Sequence, residues 1–174
     1  MNIRKFKHIY PRIAPSAFID PTALVVGDVD IDEDASIWPM VTVRGDVNHI
    51  HIGKRTNIQD GSVLHVTAAS NEEPNGYALT IGDDITVGHR VILHGCTIED
   101  HCLIGMGAIL MDGVYVEKYN LIGAGSLIPP GKKLDSGFLW LGSPVKKIRS
   151  LTDEEKKQFH TSVSHYVSLK NQHK

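Results

Sequence analysis

His65, His89 and His94 are the side chains of this sequence whose type and spacing suggest chemistry. A neutral imidazole offers a lone pair to a metal ion, and three such ligands leave a fourth position open for water or substrate. A divalent metal held in that way lowers the pKa of water to about 7 and supplies a nucleophile near neutral pH. Whether the three can meet depends on the elements that carry them.

Those elements follow from a ladder of aliphatic residues spaced by six. It runs through Ile19, Val25, Ile31, Ile37 and Val43, then Ile52, Ile58 and Leu64, then Ile81, Val87 and Leu93. A last block, one residue out of step, holds Ile98, Ile104, Leu110, Val116, Ile122, Ile128 and Leu134. Every ladder place is Ile, Leu or Val, although only 46 of the 174 residues are of these types, so chance is a poor explanation. A helix needs spacings of three and four, and a β-sandwich needs period two. A strict period of six in short β-prone segments indicates a parallel β-helix in which each hexad is one strand and a corner. Three hexads close a triangular coil, which predicts an all-β fold of about six coils.

The ladder slips by three residues between Val43 and Ile52. It breaks more heavily between Leu64 and Ile81, where Pro74, Asn75 and Gly76 mark a loop leaving the prism. After Leu134, Thr152 and Glu155 form a capping-box pattern, and Phe159, Val163, Tyr166 and Val167 follow at helical spacing. The expected organisation is a repeat domain over 1–150 and a C-terminal helix over 151–174 packed on it, helical from about 152 to 170.

A net charge of −2 with scattered lysines gives no footprint for nucleic acid. There is no apolar run of membrane-spanning length, and residues 1–13 lack a signal-peptide core, so a cytoplasmic location without a membrane partner is expected. Cys96 and Cys102 are expected to be small buried residues rather than a disulfide or metal ligands.

Stacking arithmetic then places the histidines. Ile52, Ile58 and Leu64 each have a counterpart 29 residues later, one coil plus an excursion, in Ile81, Val87 and Leu93. His65 and His94 therefore occupy the same place on adjacent coils, about 5 Å apart, close enough to share a metal ion. The same counting puts Arg44 beneath this pair and Asp60 under His89. His89 lies five residues before His94, a span of roughly 16 Å in extended chain, on another face of a convex prism. A neighbouring subunit is the source from which a His89 could reach the pair. The remaining histidines, His49 and His51 among them, are expected to be ordinary surface residues.

Four motifs now carry a resemblance: Arg44-Gly45-Asp46, Asn57 to Asp60, Leu64-His65, and Gly88 to Gly95. With the stretch LGSPVKKIR and the terminal helix, they resemble the γ-class carbonic anhydrases and their bacterial relatives over nearly the whole chain. The resemblance implies a left-handed β-helix and a homotrimer. It implies zinc, or iron, at each subunit interface, bound by His65 and His94 of one chain and His89 of the next. By the same analogy Gln59 hydrogen-bonds a metal-bound hydroxide, and Arg44, Asp46 and Asp60 form ionic contacts that hold the interface. The implied reaction is hydration of carbon dioxide. Where the most active members have a glutamate-rich loop, this chain has Glu72 and Glu73, and Val47 follows the Arg-Gly-Asp stretch. Hydrolysis of an acyl-coenzyme A thioester at the same metal, a metal-free hexapeptide acyltransferase and a non-catalytic scaffold are the competing expectations.

Overall fold

A computed structural model describes residues 2–173 of the chain. They form a parallel β-solenoid of about eight turns followed by one helix, Asp153–Gln172. The expectation of six coils is corrected upward at both ends. Ile13 lies six residues before Ile19 and pairs in parallel with Ile31, and Ile3 pairs with Val25. At the other end Trp140, six residues past Leu134, takes the inward place beside Ile122. The chain then opens an eighth turn, where the Val145 N–H donates to the Leu127 carbonyl. Counting only Ile, Leu and Val could not see a tryptophan closing the stack.

Of the eighteen ladder residues, all from Val25 to Leu134 are buried, and Ile19 is partly buried against the same core. Each contributes about 1.5–3 kcal/mol of hydrophobic stabilisation. The corners close by hydrogen bonds from one coil to the next, as in Gln59 N–H to Val87 O at 2.9 Å and Gly88 N–H to Ile104 O at 2.8 Å, and by longer turn bonds within a coil, as in Ser62 N–H to Gln59 O at 3.3 Å. The solenoid is therefore held along its axis by backbone pairing and across it by aliphatic packing.

The three faces differ in what they present outward. On the first, Ser36, Asn57 and Thr86 lie in register on successive strands, and the helix covers them. Thr86 Oγ1 and Ser162 Oγ are 3.0 Å apart, and Trp38 meets Tyr166 edge-on with ring centroids at 5.5 Å. The helix starts in a capping box between Thr152 and Glu155 and buries Phe159 and Val163. Near its end the buried Lys170 Nζ donates to Ser16 O at 3.0 Å and pairs with Asp34. The second face presents Thr42, Val63, Ile92, Ile109 and Leu127 in one column; Val63 and Ile92 stay about 40% exposed. The third is polar, with Arg12, Asp30, His51, Thr80, Thr97 and Tyr115 in register.

The three-residue slip becomes part of one long strand, Thr42–Ile52, which turns the corner between the second and third faces. Its extra residues are absorbed as a register shift opposite Gly27 and Val29. Gly45 sits in this shift because a Cβ there would stand 2.4 Å from the Asp28 carbonyl oxygen. The heavier break leaves the prism between His65 and Leu79. A bridge between Thr67 and Tyr77 closes its base, and Asn48 Nδ2 donates to the carbonyls of Thr67 and Asn75. The last sheet strand, Lys146–Ser150, runs antiparallel to its neighbour Phe138–Leu141 and is exposed throughout. No helix among the described residues is long and apolar enough to cross a membrane.

Candidate metal centre

His65 and His94 end two short parallel strands, Val63–His65 and Ile92–His94, paired residue for residue. Leu64 and Leu93 point into the core and fix the phase, so both imidazoles emerge at the corner between the second and third faces. His65 Nδ1 and His94 Nε2 stand 3.0 Å apart.

The outer nitrogen of each ring faces a carboxylate. His65 Nε2 lies 3.1 Å from Asp46 Oδ1, and His94 Nδ1 lies 2.7 Å from Asp112 Oδ1. A carboxylate oxygen accepts, so in two neutral rings each outer nitrogen carries the N–H and each inner nitrogen keeps its lone pair. Two lone pairs thus converge on one point. They repel unless a cation lies between them, and the separation is near the ~3.3 Å expected for two nitrogens bound tetrahedrally to one zinc ion. The donor set fits a divalent metal.

Arg44 is placed beside His65 on the preceding coil by the pairing of Val43 with Leu64, and its Nη1 donates to Asp46 Oδ2 at 2.6 Å. Burial works against ionisation of Asp46, but the Arg44 and His65 hydrogen bonds outweigh it and hold the carboxyl below its ordinary range. For His65, burial outweighs the Asp46 hydrogen bond and lowers the imidazole pKa. A neutral ring is the form a metal requires.

His89 lies elsewhere. It follows Gly88 on the opposite margin of the apolar second face, with Nδ1 3.0 Å from Asp60 Oδ2. Asp60, His89, Arg90, Met106 and Gly107 line one open depression. His94, Asp112, Ile92, Ile109, Met111 and Pro130 line a separate cleft of about 360 Å³. Gln59 sits on the His89 margin, nearly buried, and donates from Nε2 to Asn57 Oδ1 at 3.1 Å. One margin of the face thus carries His65, His94, Arg44 and Asp46, and the other carries His89, Gln59 and Asp60. Among the described residues, the one trio of His, Cys, Asp or Glu ligand atoms within 4.8 Å of one another is Asp30, His49 and His51, on the third face. His49 and His51, expected as ordinary surface residues, thus stand together with Asp30 in one cluster.

Asp112 and Thr67 escaped the sequence reading. Thr67 Oγ1 donates to Asp112 Oδ2 at 2.8 Å, tying the excursion loop to the carboxylate that orients His94. Stacking was counted downward from the histidines to Arg44 and not upward, where Leu93 pairs with Leu110 and Asp112 follows two residues on. In the sequence Gly95 stands out only as the end of the Gly88 to Gly95 motif. It has φ +52°, and a Cβ there would stand 2.3 Å from Asp112 Oδ1 and 2.6 Å from Tyr77 Cβ. Cys96 and Cys102 are free and buried, and burial raises both thiol pKa values, Cys102 to about 12.

Comparison with known proteins adds three kinds of likeness. Residues 95–130, in the most regular block of the ladder, match the bacterial transferase hexapeptide (six repeats) model. The chain is 55% identical to protein YrdA of Escherichia coli over 98% of its own length and 93% of that protein's. It is 42% identical to a carbonic anhydrase of Geobacillus kaustophilus over 95% of itself and 87% of that chain. It is also 45% identical over 94% of its length to γ carbonic anhydrase 1, mitochondrial, of Arabidopsis thaliana, of which it spans 59%. Among solved structures, a putative acetyltransferase of Bacillus cereus superposes with a TM-score of 0.92 at 42% identity, covering 98% of this chain and 95% of that one.

Proposed function

Because this chain belongs to the γ-carbonic anhydrase family of hexapeptide-repeat β-solenoids, we propose that it hydrates carbon dioxide at a metal shared between subunits of a homotrimer. His65 and His94 of one protomer and His89 of the next hold a divalent metal, zinc or iron. The observation that carries this reading is the pair of imidazole nitrogens 3.0 Å apart, each ring facing a carboxylate on its far side. Burial of His65 disfavours an extra proton as the bridging cation, which favours a metal there.

The third ligand comes from the neighbour because of how the second face is built. Its outward column is apolar while the other two faces are polar or covered by the helix, so this is the face a subunit would bury. Packing it around a three-fold axis brings one chain's His89 margin against the next chain's His65 and His94 margin, the heterologous contact that closes a ring.

A bound divalent metal supplies Lewis acidity that makes a hydroxide nucleophile available near neutral pH. The chain's own residues prepare the place for it. Asp112 and Asp46 fix the tautomers, so both inner nitrogens face inward as acceptors. Arg44 neutralises Asp46. Gln59 and Asp60 lie on the His89 margin, where Gln59 is positioned to orient the nucleophile at the neighbour's site and Asp60 holds the His89 ring. The apolar Ile92, Ile109 and Met111 beside His94 suit carbon dioxide, and a neighbouring subunit on this face would shield them from bulk water.

Purified oligomer is expected to carry near one metal per chain and to hydrate carbon dioxide in stopped flow, with both lost on chelation. Metal-replete oligomer without hydration above buffer would overturn this reading. The acetyltransferase description of the Bacillus cereus relative favours acyl transfer as the second reading, with the Asp112–His94 pair as a base. Transfer from acetyl-coenzyme A that persists after chelation would select it, whereas acyl-thioester hydrolysis lost on chelation would keep the metal and change the substrate.

A further inference from the structure

The third face carries a second ligand cluster that the reaction above does not use. His49 and His51 alternate along the strand Thr42–Ile52 and project to the same side. Asp30, on the preceding coil, is the register partner of His51. One nitrogen from each histidine and one oxygen of Asp30 lie within 4.8 Å of one another. The three side chains are about one-third exposed, so the cluster is open to small ions from solution.

Each carboxylate near it is accounted for. His49 Nδ1 is 3.3 Å from Asp28 Oδ1, His49 Nε2 is 3.5 Å from Asp30 Oδ2, and His51 Nε2 is 3.7 Å from Asp32 Oδ2. Arg12, on the coil below, donates to both oxygens of Asp30 and reaches Asp28 Oδ1 at 3.0 Å. Three carboxylates therefore meet one guanidinium and two imidazoles, and only the guanidinium carries a permanent positive charge.

We propose that Asp30, His49 and His51 bind a first-row divalent transition-metal ion, with Arg12 as the resident cation that pairs with Asp30 when the metal is away. Two imidazoles and one carboxylate on adjacent strands suit zinc, nickel or cobalt, whereas magnesium and calcium prefer all-oxygen sites. Arg12 and the metal compete for the same carboxylate, so the guanidinium weakens metal binding while it stabilises the metal-free corner. The cluster lies beyond the corner that holds His65 and His94, on the face left outside when the apolar faces meet.

The test is nickel titration, by calorimetry, of the wild-type oligomer loaded with one zinc per chain. One further nickel per chain is expected, undisturbed by excess magnesium. The His49→Gln/His51→Gln double variant should lose it, and Asp30→Asn should weaken it by about tenfold or more. Arg12→Gln should tighten it, the reverse of what loss of a merely structural ion pair would do. Uptake unchanged in the double variant, or Arg12→Gln leaving the affinity unchanged or weaker, overturns the proposal. Should the double variant fold poorly, copper titrated into the zinc-loaded wild type supplies an independent readout. Imidazole nitrogen couplings in its electron paramagnetic resonance spectrum support the site, and their absence overturns it.

Discussion

Asp112 holds His94 from one coil above, with Oδ1 2.7 Å from Nδ1, so the other ring nitrogen is turned toward His65. Carboxylate–histidine contacts of this kind set the tautomer and raise ligand basicity. Asp112→Ala should therefore lower metal affinity about 10–100-fold with the solenoid intact. Competition against a chelator gives the affinity and circular dichroism checks the fold; wild-type affinity in the variant would remove Asp112 from the site.

His89 shares no ligand group with His65 and His94 inside one chain, so the two halves of the proposed centre are separable. His89→Ala and His94→Ala oligomers should each be inactive. Unfolded together and refolded as a mixture, they should regain about a quarter of the intact interfaces of a cyclic assembly. Recovery of no activity from a mixture that does form mixed oligomers would argue against a shared site.

Arg44 is ion-paired to Asp46 at the corner next to the apolar face, with its side chain 44% exposed in the single chain. Arg44→Ala should shift the oligomer toward smaller species before it changes turnover per intact site. Size-exclusion chromatography over a dilution series reads this directly, and an undisturbed trimer would refute it.

Gly95 and Gly125 both have positive φ, but only Gly95 is crowded, by Asp112 and Tyr77. Alanine at either place costs about 1–2 kcal/mol for the left-handed backbone, a few degrees in Tm. Gly95→Ala should in addition displace Asp112 and weaken metal binding, whereas Gly125→Ala should not. Equal metal affinity in the two variants would contradict the crowding argument.

Asp84 is largely buried and paired with Arg55 through two hydrogen bonds of 2.6 Å, and that guanidinium lowers its pKa. A depressed carboxyl stabilises the fold above its unfolded pKa of about 3.9 and loses that contribution as pH falls through the folded value. Wild type should exceed Arg55→Gln by about 1 kcal/mol from pH 5 to 7, and the gap should narrow as pH falls below about 4. A gap that does not narrow at all in acid would assign the effect to packing of the arginine stem.

What the sequence disclosed was governed by periodicity. The inward residues, the stacking of His65 on His94 and of Asp60 under His89, and the capped helix are all consequences of counting. The extra turns escaped because Trp140 breaks the residue type though not the spacing, and Ile13 was left off the ladder's start. Asp112 and Asp30 escaped for a different reason. Their partners are set by side-chain reach across coils, Asp112 over a glycine and Asp30 beside a register shift, and hexad counting carries no information about reach.

The exposed antiparallel strand Lys146–Ser150 has a consequence for growth. A solenoid of parallel hexads ends in unpaired backbone groups that a second copy could extend indefinitely. Here the last rung of the helix-covered face is paired with a strand of opposite direction bearing Lys146, Lys147 and Arg149, which offers an incoming parallel hexad neither matching register nor neutral surface. A capped rung on this face hinders lengthening into a fibre from that end, which suits the closed side-by-side ring proposed above.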